Sequence, residues 1–150
     1  MPPDPQATDK YAQRRYDVAD VSAIDTAALE RLPFEYPKSA TTVSYETEEF
    51  TSVCPWTGLP DFGRLVITYQ PRRWLVEMKS LKYYLTSYRN VGILQEHAVN
   101  RVLDDLAQLL DPASLRVEAW FNERGGLRTH AVAEYRGGTR TGRTPAHRRS

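Results

Sequence analysis

Arg73-Trp74-Leu75-Val76-Glu77-Met78-Lys79-Ser80-Leu81-Lys82-Tyr83-Tyr84-Leu85-Thr86-Ser87-Tyr88 changes its period part-way along. Up to Met78 the chain reads as extended. From Lys79 onward, Leu81, Tyr84, Leu85 and Tyr88 stand at i, i+3, i+4 and i+7, one face of a helix. Arg89-Asn90-Val91-Gly92 breaks that helix, and a longer one is predicted over Ile93 to Leu110. There Leu94, Ala98, Val102, Leu106 and Leu110 recur every fourth residue, and Val99, Leu103 and Leu109 widen the stripe. Asp111-Pro112 ends it. Two consecutive helices at the centre of the chain set the frame for everything on either side.

On the N-terminal side, Thr42 to Phe50 is rich in β-branched and aromatic residues and reads as a strand. Arg64 to Tyr69 is a second strand, with Leu65, Ile67 and Tyr69 on one face at period two. On the C-terminal side, Leu115, Val117, Ala119 and Phe121 alternate with polar residues and Trp120. Arg124-Gly125-Gly126 is a hairpin loop, and Leu127 to Tyr135 returns with Ala131, Ala133 and Tyr135 on one side. Ser22 to Leu32 is compatible with a short helix ended by Pro33, or with an irregular segment. The order strand, strand, helix, helix, strand, strand predicts an α+β fold: an antiparallel four-stranded sheet with two helices on one face. Such a sheet has two open edges. Joining them between subunits into a barrel removes both, so a homo-oligomer is expected. The expected domain covers 21–136. Residues 1–20 read as a flexible polar lead-in and 137–150 as a flexible basic tail with four arginines and no acid.

The chain has 150 residues, 41% hydrophobic, which is enough for one domain with one core. A net charge of +1 points to no particular partner, and direct nucleic-acid binding is not expected. One cysteine cannot form an intramolecular disulfide. No run approaches the about 20 apolar residues of a membrane span. Met1-Pro2-Pro3-Asp4-Pro5-Gln6 lacks the basic and apolar regions of a signal peptide. A soluble cytoplasmic protein is therefore expected.

The single cysteine lies in Ser52-Val53-Cys54-Pro55-Trp56-Thr57-Gly58-Leu59-Pro60-Asp61-Phe62-Gly63. Two prolines and two glycines predict a stiff, irregular loop rather than a helix or strand. Such a loop holds Cys54 and Asp61 at a fixed separation, which suits a thiolate nucleophile beside a carboxylic proton donor. The other reading is a small buried thiol, as most free cysteines are.

Lys79 and Lys82 share a helix face and stand in the first turn, where the helix dipole is already positive. A phosphate at that terminus would resolve the conflict; two solvated lysines with ordinary partners are the alternative. Glu96, in Gln95-Glu96-His97, lies off the apolar stripe. It is either an acid well placed near a helix N-terminus or a carboxylate that grips the paired N–H donors of a guanine-like edge. His97 is a proton shuttle or an ordinary surface histidine. Three scattered histidines and one cysteine show no metal-ligand spacing, so no metal is expected. No glycine-rich dinucleotide or P-loop pattern is present.

Cys54-Pro55-x-Thr57-Gly58-x-Pro60-Asp61-Phe62 resembles the active-site loop of the QueF nitrile reductases. Glu77-Met78-Lys79-Ser80-Leu81-Lys82-Tyr83-Tyr84 resembles that family's signature E-x-K-[SA]-x-K-x-[aromatic]. Ser87-Tyr88-Arg89-Asn90, Glu96, Asn100 and Arg124-Gly125-Gly126 continue the match in order, over roughly residues 35 to 140. The resemblance is to the short, single-domain NADPH-dependent 7-cyano-7-deazaguanine reductases of the tunnelling-fold superfamily. It implies barrels of several subunits, as two stacked pentamers, and reduction of a nitrile to a primary amine for queuosine in tRNA.

Residue by residue, the resemblance implies Cys54 as the nucleophile that forms a thioimide and Asp61 as proton donor. Glu96 would hold the deazaguanine ring, with Val76, Glu77, Met78, Gln95 and His97 as the rest of the substrate wall. Lys79, Ser80, Lys82, Arg124 and Gly125 would meet NADPH, of which two are used per nitrile. Many members carry His directly before the binding glutamate. Here that position is Gln95, and the histidine follows as His97. Two other functions compete: an amidine-forming transferase that attacks the same adduct with ammonia, and a non-catalytic oligomer that binds purines or pterins. The lysine-bearing signature separates the reductases from the transferases. Chemistry at Cys54 separates both from a binder.

Overall fold

The protein is described here by a computed structural model, which covers residues 17–137 and the backbone of 139–140. Among the described residues there are seven strands: β1 (Arg31–Pro33), β2 (Val43–Val53), β3 (Pro60–Gln70), β4 (Trp74–Val76), β5 (Ser114–Phe121), β6 (His130–Arg136) and β7 (Thr139–Arg140). Two helices, α1 (Met78–Thr86) and α2 (Gln95–Leu110), lie between β4 and β5. The main sheet is antiparallel in the order β2-β3-β5-β6-β7, and β1 and β4 form a separate two-stranded antiparallel ribbon. The fold is thus the predicted α+β arrangement, but the sheet has five strands where four were expected. The fifth, β7, comes from the stretch read as a flexible tail and pairs with Tyr135 and Arg136. Most of the lead-in (1–16) and the rest of the tail (138 and 141–150) lie outside the described residues.

The core forms because the strand and helix periods present their apolar sides to the same layer. Leu65, Ile67 and Tyr69 of β3, and Leu115, Val117, Ala119 and Phe121 of β5, are all buried on one face. Leu81 and Tyr84 of α1 and Val99, Val102, Leu103, Leu106 and Leu110 of α2 cover that face. The opposite face carries Arg64, Thr68, Arg116, Glu118, Trp120 and His130, the polar side of an antiparallel sheet. Tyr84 and Tyr88 bring hydroxyls into the core and satisfy them together. Tyr84 Oη lies 2.7 Å from Tyr88 Oη and donates to Asp105 at 2.6 Å, and Arg101 holds the same carboxylate. Burial pushes both phenols far up, so they stay neutral donors.

Three local readings are decided. First, of the two left open for Ser22 to Leu32, the irregular segment holds and the helix does not. The segment forms two 3₁₀ turns, Val21–Ala23 and Thr26–Ala28, followed by β1. Asp20 and Asp25 accept from the N–H groups of Ser22 and Ala28, which starts a new turn each time instead of extending one helix. Ser87, far along the chain, takes the N–H of Asp25, and Arg31 lies 3.9 Å over the Trp74 ring. Tertiary ties therefore override alanine propensity. Secondly, the stretch from Ser52 to Gly63 is half strand. β2 continues through Val53 after a bulge between Thr47 and Phe50, and β3 starts at Pro60. Only Cys54 to Leu59 is irregular. Proline is tolerated there because it is the first residue of its strand. Thirdly, α2 starts at Gln95 and not at Ile93, because Ile93 is tied to β2.

Candidate active site

The turn that carries Cys54 is closed at both ends. The Cys54 N–H donates to the Leu59 carbonyl at 2.9 Å, and the Gly58 N–H donates to the Cys54 carbonyl at 2.8 Å. Gly58 takes φ 69°, the left-handed region that favours glycine. The connector between the two helices is stitched to the end of β2 just before this turn. Val53 N–H donates to Val91 O at 3.0 Å and Ile93 N–H to Val53 O at 3.2 Å. A Cβ on Gly92 would lie 2.4 Å from Val18 Cγ1 and 3.2 Å from the Pro55 backbone. The start of α2, with Gln95 and Glu96, is thereby locked beside the Cys54 turn. Gly92→Ala is expected to destabilise the protein by about 1–3 kcal/mol, since overpacking here must displace Val18 or the turn itself. Thermal melts of the variant read this directly. An unchanged melt would show that the packing is looser than drawn.

Cys54 is half-buried, and its thiol is held below its ordinary value. Thr57 is the main cause: its hydroxyl donates to the sulfur. Partial burial opposes this, and the N–H groups of Thr57 and Trp56 and the Arg124 guanidinium add to it. Alkylation of this sole cysteine should therefore show a pH midpoint below that of a free thiol. Thr57→Val should move it upward by removing the largest cause. A midpoint indifferent to Thr57 would contradict that assignment.

Asp61 sits on the core face of β3, and its side chain is only 3% exposed. Arg124 Nη1 donates to Asp61 Oδ1 at 2.6 Å. Arg124 reaches it from the β5–β6 hairpin, a tight turn in which Arg124 and Leu127 exchange backbone hydrogen bonds. Gly125 and Gly126 take φ +57° and +81° in that turn, as a two-residue turn with two left-handed residues requires. One guanidinium therefore pairs with the carboxyl and adds a little to what holds the thiol down. Thr57 and the Arg124–Asp61 pair were not singled out from the sequence as such. The Thr-Gly after Cys-Pro was the only signal for the first, and the pair joins residues 63 positions apart.

The remaining candidates fall on and around α1 and α2. Glu77 is the N-cap of α1: its two carboxylate oxygens accept from the N–H groups of Lys79 (3.0 Å) and Ser80 (2.7 Å). Those bonds hold its carboxyl below the usual range. The anion that the first turn of α1 called for is thus supplied by the chain itself. Ser80 is buried, and its hydroxyl bonds the backbone of Glu30 and Glu77. Val76 is buried in the core, whereas Met78, Lys79, Lys82, Glu96, His97, Arg124 and Gly125 are exposed and Gln95 is half-buried. Lys82 and Met78 line a cavity of about 460 Å³ between β2 and α1, floored by Phe50, Leu65 and Ile67. Cys54, Asp61 and Glu96 lie outside it. Among the described residues no group of three or more His, Cys, Asp or Glu could hold a metal ion, and no helix is long and apolar enough to cross a membrane.

Residues 60–139, more than half of the chain, match the sequence profile of the QueF family, described as QueF-like protein. The chain belongs to the QueF family. Over 128 residues it is 62% identical to a protein of Caldicellulosiruptor bescii named NADPH-dependent 7-cyano-7-deazaguanine reductase, covering 85% of this chain and 98% of the relative. A protein of the same name from Thermoanaerobacter pseudethanolicus is 59% identical over 85% of this chain and 96% of its own. One from Thermotoga maritima is 45% identical over 80% and 87%. Among solved structures, the apo form of the archaeosine synthase QueF-Like superposes with a TM-score of 0.60 at 27% identity, covering 67% of this chain and 98% of that one. The QueF fold accounts for the helix pair on one face of an antiparallel sheet.

Proposed function

We propose that the protein reduces the nitrile of 7-cyano-7-deazaguanine to the aminomethyl group with NADPH, for queuosine biosynthesis. The observation that carries this reading is the hairpin that presents Cys54 at its turn and Asp61 on its returning strand, with Arg124 paired to Asp61. Cys54, as thiolate, adds to the nitrile carbon. The displaced π-electrons go to nitrogen, which takes the proton of Asp61, and a thioimide results. A free nitrile is a poor hydride acceptor and a protonated thioimide is a good one. Each NADPH supplies one hydride, so two are consumed in turn.

Glu96, exposed at the first turn of α2 beside the Cys54 turn, offers two oxygens to the paired N–H donors of the base. Gln95 and His97 flank it, and Met78 and the backbone of Val76 and Glu77 complete the wall. Lys79, Lys82, Arg124 and the N–H of Gly125 meet the phosphates of NADPH. Ser80 acts there by holding Glu77 and Lys79 in place. No metal takes part.

The site is completed by a second copy of the chain. Trp56, Leu59, Phe62 and Leu127 are large, apolar and about half or more exposed around Cys54 and Arg124. The eleven-residue β2 is an edge strand. Covering both in one step favours the barrel-forming homo-oligomer, a decamer of two pentamers, in the cytoplasm.

The reading is tested by following NADPH absorbance with purified protein and 7-cyano-7-deazaguanine. Two NADPH oxidised per nitrile is the expected result. Binding without oxidation, with amidine formed from ammonia, would overturn it in favour of the transferase chemistry of archaeosine synthases.

A further inference from the structure

Ser52 is fully buried, and its Oγ is the one buried side-chain polar atom among the described residues that has no hydrogen-bond partner. A serine hydroxyl rotates freely and commonly finds a nearby acceptor, so an orphan in a well-packed strand asks for an explanation. Its position supplies one. In the β2–β3 ladder Ser52 is directly opposite Asp61, and Cys54 follows two residues later. Directly opposed residues of an antiparallel pair stand on the same face with Cβ atoms about 4.5–5.5 Å apart. Moving Ser52 Oγ to another staggered position about χ1 is then enough to bring it toward the Asp61 carboxyl, with no movement of either strand. Asp61 is held on its Oδ1 side by Arg124, which comes from the half-exposed mouth of the site. Ser52, fully buried, faces Asp61 across the ladder.

We infer that Ser52 is a positioning residue for Asp61: its hydroxyl donates to the carboxylate that remains once Asp61 has given its proton to the substrate nitrogen. This rests on the nitrile-addition reading above. As the Cys54 sulfur bonds the nitrile carbon, the Asp61 O–H bond breaks, a new N–H bond forms and a buried carboxylate is left behind. To reach the nitrogen the carboxyl must turn from Arg124, and Ser52 supplies a donor from within the wall. A guanidinium favours the ionised form of a carboxyl, whereas a neutral hydroxyl serves either form: it accepts from the acid and donates to the carboxylate. With the Asp61 carboxyl turned onto Arg124, the hydroxyl has no partner.

The test is Ser52→Ala, alone and combined with Asp61→Asn, in the full-length protein. Two rates are read: thioimide formation from 7-cyano-7-deazaguanine without NADPH, in a single turnover, and steady-state NADPH oxidation. Ser52→Ala should slow thioimide formation and lower kcat roughly tenfold, as for loss of one hydrogen bond to a charged group, with KM unchanged. Its melting temperature should equal or exceed that of the wild type, since it removes a polar atom that bonds nothing in the free protein. In the Asp61→Asn background the same change should have no further effect, because the group it serves is gone. Wild-type rates in Ser52→Ala, or the same loss in both backgrounds, would overturn the inference. Absence of thioimide and of NADPH oxidation in the wild type would overturn the nitrile reading itself, and Ser52's role with it.

Discussion

Replacing Cys54 with alanine is expected to lower nitrile reduction roughly a thousandfold or more, the scale seen when a covalent nucleophile is removed, while 7-cyano-7-deazaguanine still binds. On the proposed route the sulfur is what makes the substrate reducible, and no other thiol stands in for it: Cys54 is the sole cysteine of the chain. The fold should tolerate the change. Cys54 is only half-buried, and the hydrogen bonds that close its turn come from the backbone of Cys54, Gly58 and Leu59. Binding should persist because Glu96 and the wall from α1 are untouched. Calorimetric titration and NADPH oxidation on the same sample separate the two effects. A variant that keeps a tenth or more of the wild-type rate would sink the covalent route and with it the role of Asp61. A non-catalytic binder would show no turnover to lose.

Asp61→Asn is expected to lower kcat roughly 10²–10⁴-fold, the usual contribution of a positioned proton donor. The amide has nearly the same shape and can still accept from Arg124, but it has no carboxylic proton to give. The expected signature is a large fall in kcat with KM little changed, because on the proposed route Asp61 acts on the nitrogen as charge develops there and not on the bound base. Loss of KM instead would recast Asp61 as a substrate anchor. The comparison with Arg124→Ala is informative. Arg124 is about half-exposed, pairs with Asp61, adds to what holds the Cys54 thiol down, and belongs to the group proposed for the NADPH phosphates. Its removal should raise the alkylation midpoint of Cys54 less than Thr57→Val does, since Thr57 contributes more to holding the thiol down.

The balance between these side chains could not be read from residue types. Cys54 and Asp61 are seven positions apart, and a stiff loop was one way to hold them. The structure uses a hairpin instead, with β2 and β3 in register on both sides of the turn and Ser52 opposite Asp61. The sequence was misleading there because prolines and glycines mark a turn without marking its ends: Pro60 opens a strand and Gly63 lies inside one. Likewise, two lysines in the first turn of α1 asked for an anion, but nothing in the spacing said that Glu77 would turn both its oxygens onto the helix terminus.

What the sequence determined by itself is whatever repeats at short range. The 3.6-residue period after Lys79, the alternation at Leu65–Tyr69 and Leu115–Phe121, and the Gly125-Gly126 turn each specify a local conformation and the side that must be buried. With the Cys-Pro-x-Thr-Gly and Glu-x-Lys motifs they were enough for the fold class and the family. Only the tertiary structure decided contacts between distant positions. Asp25 to Ser87 decided for two short turns over the helix that was also open, Val53 to the Asn90–Ile93 connector set α2 beside Cys54, and Arg124 closed on Asp61. Such contacts leave no local pattern. Each depends on where two separately folded pieces of chain meet, and that is settled by packing of the whole core.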